Sequence, residues 1–105
     1  MRLVAYDLAL DLVRSLRPTL AVVKRHHANL YKQMLDALTS IPLNINEATG
    51  RIGGDRAHHF RIALGSLREV TAVLDTAEAL GWIGEPPLAA ERDRLGGLLW
   101  GLQRR

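Results

Sequence analysis

The chain has no cysteine, few aromatic residues and only two lysines. The first absence excludes disulfides and zinc–thiolate centres and leaves a reducing compartment open. Aromatic residues make up 5%: two Trp, two Tyr and one Phe. That scarcity, together with the lack of any sustained apolar–polar alternation, argues against strands. No apolar run approaches the roughly 20 residues that a membrane-spanning helix needs. Met1 leads directly into an amphipathic pattern containing Asp7 and Asp11, unlike a secretory signal. The cytoplasm is therefore the expected location, and no membrane partner is expected. A Gly-Lys-Ser/Thr phosphate loop and a Gly-x-Ser-x-Gly elbow are also missing. A non-enzymatic role without cofactor is the expectation.

What is present is helical spacing. With 105 residues, 48% of them hydrophobic and 24% charged, the chain fits a single ordered domain over 1–105. The first segment, about 3–23, carries Ala5, Leu8, Leu12, Leu16, Leu20 and Val23 on one stripe. Pro18 interrupts it and frees the carbonyl of Arg14, and because the stripe resumes in phase a kink is expected. A second helix, about 28–49, has the stripe Leu30, Met34, Leu38, Ile41, Ile45 and Ala48, with Pro42 inside it. Asn44 lies beside that stripe and must find partners. Gly50 to Gly54 holds three glycines and reads as a loop that ends the helix and allows positive φ, with Asp55 as N-cap of the next. The third helix, about 55–80, has the stripe Phe60, Ala63, Leu64, Leu67, Val70, Thr71, Leu74 and Ala77, and Gly81 suits its C-terminal turn. Pro86-Pro87 opens a fourth, about 87–102, striped by Leu88, Leu95 and Leu102. Gly96, Gly97 and Gly101 imply tight packing of that helix on a neighbour. Four such helices with short connectors predict an all-α, antiparallel, up-down-up-down four-helix bundle.

Chemistry-bearing residues are sparse. His26-His27 and His58-His59 are adjacent pairs whose rings point about 100° apart in a helix, so a shared metal is not expected. They read as solvent-facing imidazoles. Asp55 and His59, four apart, could make half a metal site, but no third ligand is near. Gly65-Ser66 reads as close helix packing with a back-bonded hydroxyl. Asn44 and Glu47 read as structural, satisfying backbone groups near Pro42 and the helix end.

Charge is more telling. Net charge is +3, and twelve of the fourteen basic residues are Arg, which suits phosphate and carboxylate contacts. An up-down-up-down bundle brings 1–7, 47–61 and 100–105 to one end. Those stretches hold Arg2, Arg51, Arg56, Arg61, Arg104 and Arg105 against Asp7, Glu47 and Asp55, so the whole net charge falls there, beside His58 and His59. An anionic partner, RNA or DNA, is the candidate for this end. A solvated charged surface is the plain alternative. Val4, Leu43, Trp82, Leu99 and Trp100 exceed what one small core holds and read as an interface for self-association.

The runs "SIPLNINEATGR", "FRIALGSLREV" and "AEALGWI" carry a family resemblance over about residues 5–103. The sequence resembles the four-helix-bundle proteins encoded within intervening sequences of 23S ribosomal RNA genes. These are similar to the accessory variability proteins of diversity-generating retroelements. Ala48 and Asn46 depart from the family's usual glycine and small residue. The resemblance implies a ring-like homopentamer with a basic surface. In the retroelement branch it implies a partnership with a reverse transcriptase and its template RNA. Two functions follow as expectations: an oligomeric nucleic-acid-binding accessory protein, or a protein–protein scaffold without nucleic-acid contact.

Overall fold

The computed structural model describes residues 3–105, which form five α-helices and, among the described residues, no strand. The helices are α1 Val4–Ser15, α2 Arg17–His26, α3 Ala28–Thr49, α4 Gly53–Ala79 and α5 Ala89–Gln103. No helix is long and apolar enough to cross a membrane among the described residues.

The expected first helix is divided in two. Leu16 adopts φ −90°, ψ −1° between α1 and α2, and Pro18 stands at the start of α2. Proline lacks the N–H that would bond the Arg14 carbonyl and is tolerated best in a first turn. The interruption is one residue long. Leu16 N–H donates to the Leu12 carbonyl at 3.0 Å, and Leu20 N–H donates to the Leu16 carbonyl at 2.9 Å. The phase therefore survives, and Leu12, Leu16, Leu20 and Val23 are all buried. Pro42, by contrast, lies buried within an unbroken α3.

His27 forms the turn from α2 to α3. Its backbone is extended, and its Nδ1 accepts the Leu30 N–H at 3.0 Å, capping α3. His26 stacks on Trp82 with ring centroids 4.9 Å apart and planes within 5°. Both imidazoles are solvent-facing as expected, and each also makes a contact: one caps a helix and the other stacks on an indole. At the other end of α3, the chain turns through Gly50 to Ile52. Gly53 has φ +61° and Gly50 an ordinary −93°. Here α4 starts two residues before Asp55, with Ile52 as an N-cap that makes no side-chain bond. Asp55 is thus not the cap. It lies in the first turn of α4, where a carboxylate complements the helix dipole.

The end of α4 follows its glycine. Gly81 has φ +77°; Trp82 N–H reaches the Ala77 carbonyl and Gly81 N–H the Glu78 carbonyl, both at 2.9 Å, the Schellman pattern. The connector then runs to Leu88, a non-glycine residue at φ 62°, ψ 34°. That left-handed backbone delays α5 to Ala89, two residues past the expected start.

With 27 residues and a rise of about 1.5 Å each, α4 spans nearly the whole 42 Å long dimension of the molecule. It packs on α3 and α5, and α1 and α2 pack on α3. Both neighbours of α4 are antiparallel to it. Asn44 meets His59 and Ser40 meets Ser66 on the α3 side; Arg92 meets Thr71 and Gly96 meets Leu67 on the α5 side. Leu3, Val4 and Ala5 share a groove with Leu98, Gly101 and Leu102. The start of α1, the α3–α4 turn and the end of α5 therefore lie toward one end of the molecule.

The core is one cluster built around Phe60, Leu16, Met34, Leu38, Ile41, Ile45, Leu74, Leu95 and Leu99. Burying such a side chain stabilises by about 1.5–3 kcal/mol. In α5 the buried line is Arg92, Leu95 and Leu99, while Leu88 and Leu102 are only half-buried. Close packing of the α5 glycines holds at one position only. A Cβ on Gly96 would lie 3.6 Å from Leu67 Cδ2, whereas Gly97 and Gly101 face open space.

Candidate functional site

The end expected to be basic is less uniformly so than its sequence. Arg2 lies outside the described residues. Arg51 is held by two acids: Nη1 donates to Asp55 Oδ2 at 2.8 Å and Nη2 to Glu47 Oε2 at 3.3 Å. One acid stands four residues before it on α3, the other four residues after it across the α3–α4 turn. The Arg51 hydrogen bond, foremost, holds the Asp55 carboxyl below its usual range, opposed by burial and aided by the charges of Arg51, His59 and His58. Arg51 is correspondingly held in its charged form by Asp55 and then Glu47. The three groups together carry a net negative charge, so the turn is a poor anion site by itself.

Four cations at this end make no ion pair among the described residues. Arg56 is half-buried with its guanidinium 4.7 Å from the Phe60 ring centroid. Arg61 is exposed on α4. Arg104 lies 5.7 Å over the Trp100 ring. Arg105 is exposed and lines the α1–α5 groove beside Val4.

His58 is exposed, and its ring meets that of His59 edge-on at 5.8 Å. His59 turns inward instead, into a polar seam between α3 and α4. Asn44 Nδ2 donates to both the carbonyl and the hydroxyl of Ser40, each at 2.9 Å. Its Oδ1 is thereby left as the acceptor for His59 Nδ1, 3.0 Å away, so Nδ1 carries the proton. Ser66 Oγ donates to Ser40 Oγ at 2.9 Å and completes the seam. Asn44 finds its partners in this way. The expected back-bonded Ser66 is corrected: its hydroxyl crosses to α3, and Gly65 faces open space with no helix packed against it. With Asp55 taken by Arg51 and His59 by Asn44, the half metal site of the sequence does not assemble. No group of three metal-ligating side chains occurs among the described residues.

A family model for the 23S rRNA-intervening sequence protein matches residues 1–97. The chain belongs to that family. The match takes in α1 to α4 and the first nine residues of α5, with the whole polar seam. It stops short of Trp100, Arg104 and Arg105. No curated protein and no solved structure matches the chain. Ala48, where the resemblance leads one to expect glycine, is fully buried and allows α3 to continue to Thr49.

Of the five residues expected to mediate self-association, Val4, Leu43 and Trp100 are exposed by more than half. Leu99 is fully buried in the core and is not available to a partner. Trp82 is half-buried beneath His26. Ile52 and Leu80 are further exposed apolar side chains that the helical stripes do not single out.

One polar residue of consequence is invisible to the helical stripes. Arg92 is buried, at 8% exposure, without a carboxylate partner among the described residues. Its Nε donates to the Pro87 carbonyl and its Nη1 to Thr71 Oγ1, both at 3.0 Å. It secures the connector before α5 to α4, and it lines a cleft between those helices. The signal that could find it is spacing: Arg92 stands three and seven residues before Leu95 and Leu99, on the buried line.

Proposed function

We propose that this member of the 23S rRNA-intervening sequence family is a non-enzymatic, cytoplasmic accessory protein. It acts as a homo-oligomer and binds RNA or DNA through one end. In this reading α1 and α2 serve as a single kinked arm of an antiparallel four-helix bundle, and a ring-like pentamer is the assembled form. The observation that carries it is the set of exposed arginines, Arg61, Arg104 and Arg105, which have no carboxylate partner among the described residues. Trp100 supports the same reading, because an exposed ring beside Arg104 offers a base a stacking surface next to a phosphate contact. Arg51 is assigned to the architecture of the turn and not to the contact, since Glu47 and Asp55 neutralise it. Association with a reverse transcriptase, as in the retroelement proteins this sequence resembles, is the expected setting.

Anisotropy titrations with labelled single-stranded RNA and DNA at several salt concentrations test this. Binding should weaken steeply with salt, and Arg61→Glu with Arg104→Glu should reduce the slope by about one for each phosphate that the protein no longer neutralises. Absence of binding at low salt would refute the nucleic-acid assignment. Exposed Val4, Leu43, Ile52 and Leu80 favour self-association as a separate element. Light scattering should return a multiple of the 11.6 kDa chain mass, five for the pentamer. Assembly without nucleic-acid binding would leave the protein scaffold as the function.

A further inference from the structure

The cleft between α4 and α5 lies on a different part of the surface from the α3–α4 turn, and it shares only Trp100 with the proposed nucleic-acid surface. Its volume is about 390 Å³, within the range of small-ligand pockets, roughly 300–1,000 Å³. Leu64, Leu67 and Gly96 give it an apolar floor, Trp100 bounds one side, and Arg68 and Arg92 stand at the polar part with Thr71 and Asp93. Arg92 is the decisive member. A guanidinium carries five N–H donors, and only Nε and one Nη1 hydrogen are used, on a carbonyl and a hydroxyl. Both partners are neutral. The residue is nine-tenths buried and has no carboxylate partner among the described residues, yet no buried side-chain nitrogen lacks a partner, so its unbonded N–H groups reach the surface, where a ligand can meet them.

We infer that this cleft binds a small organic carboxylate, with Arg92 as its buried counter-ion and Arg68 closing over it from the rim. The planar fork of an arginine matches a carboxylate in a bidentate manner. Two arginines against Asp93 give the site a single net positive charge, which suits a monoanion better than a phosphate dianion. The apolar floor and the Trp100 ring suit a ligand with a compact hydrophobic body.

The test uses the full chain carrying Trp82→Phe, so that Trp100 is the sole tryptophan and reports from the cleft wall. Benzoate is the probe, with benzyl alcohol and inorganic phosphate as controls. Benzoate should change the Trp100 emission saturably and bind at least about tenfold more tightly than either control. Arg68→Gln, at an exposed position, should weaken benzoate by about two- to fivefold. Arg92→Gln should weaken it by about tenfold or more with helical circular dichroism unchanged. Should Arg92→Gln unfold the chain, the Arg68→Gln titration decides. Equal binding of benzoate and benzyl alcohol, or benzoate affinity unchanged in Arg68→Gln, overturns the inference. Phosphate binding as tightly as benzoate overturns the carboxylate assignment. Light scattering on the same samples separates a free acid from a carboxylate of a second copy: assembly size should not change with benzoate, and dissociation by benzoate would assign the site to the neighbouring chain instead.

Discussion

Gly65 and Gly97 sit inside α4 and α5, and beyond the helix's own adjacent backbone an added Cβ would meet no heavy atom within 4 Å at either. Neither has the positive φ that would make a side chain strained. A helix-interior glycine costs about 0.5–1 kcal/mol relative to alanine, mostly through the freedom it retains when unfolded. Gly65→Ala and Gly97→Ala should each recover about that amount. The two positions are on different helices with no shared partner, so the double variant should gain about 1–2 kcal/mol. For a domain near this size, that is a rise in midpoint of roughly 4–8 °C per kcal/mol. Urea and thermal unfolding followed by circular dichroism, at low protein concentration, measure it. A loss of stability at either site would refute the reasoning, because it would require something to occupy the space that stands open. The same variants at high concentration ask what the glycines are for. If an assembled form brings a neighbouring backbone against the Gly97 face, alanine there should stabilise the single chain yet shift assembly to higher concentrations in light scattering.

Other perturbations separate buried from exposed roles. Leu99→Ala should destabilise by about 2–5 kcal/mol as a fully buried leucine, whereas exposed Leu43→Ala should change the stability of the single chain by less than about 0.5 kcal/mol. Asn44→Ala strips His59 Nδ1 and the Ser40 groups of their shared partner and should cost about 1–3 kcal/mol in urea unfolding. His27→Ala removes the cap on α3 and should cost about 0.5–2 kcal/mol, visible as a lower midpoint. Arg51, foremost through its hydrogen bond, holds the pKa of Asp55 below the ordinary carboxylate range of the unfolded chain. Its contribution is therefore present at neutral pH and lost as pH falls below the ordinary carboxylate range. Unfolding midpoints at about pH 7 and pH 3 should accordingly differ less in Asp55→Asn than in the unaltered chain, and an equal difference would remove Asp55 from the acid response.

Most of the helical architecture is legible in the sequence because three- and four-residue spacing reports directly on burial. The stripes of α3 and α4 match most of the buried faces, from Met34 to Ala48 and from Phe60 to Ala77, although Thr71 is only half-buried and Val73, off the stripe, is buried. The last helix is harder, since its leucines permit more than one stripe. A seven-residue step through Leu88, Leu95 and Leu102 looks apolar throughout, while the chain buries Arg92, Leu95 and Leu99. A charged residue on the buried line does not register when apolar character is the criterion. The break at Leu16 depends on where the strain of Pro18 is absorbed, and spacing is silent on that.

The candidate site shows a different limit of counting. Summing charge over one end treats Arg51 as available, yet Glu47 and Asp55 stand four residues to either side of it, and both reach it. Spacing of that kind is readable in advance along a helix, where residues four apart are neighbours. Across the turn it is not, because the chain there leaves the helix, with Gly53 at φ +61°, and helical spacing no longer places Asp55. The charge that survives this pairing lies on Arg56, Arg61, Arg104 and Arg105 among the described residues, and two of those four stand beyond the segment matched by the family. If nucleic-acid binding resides in Arg104 and Arg105, it is a property of the C-terminal end of α5 and not of the shared bundle. A variant with both changed to glutamine should then lose its salt-dependent binding while keeping its unfolding midpoint and its assembly size. Retained binding would move the contact back to α4, to Arg56 and Arg61.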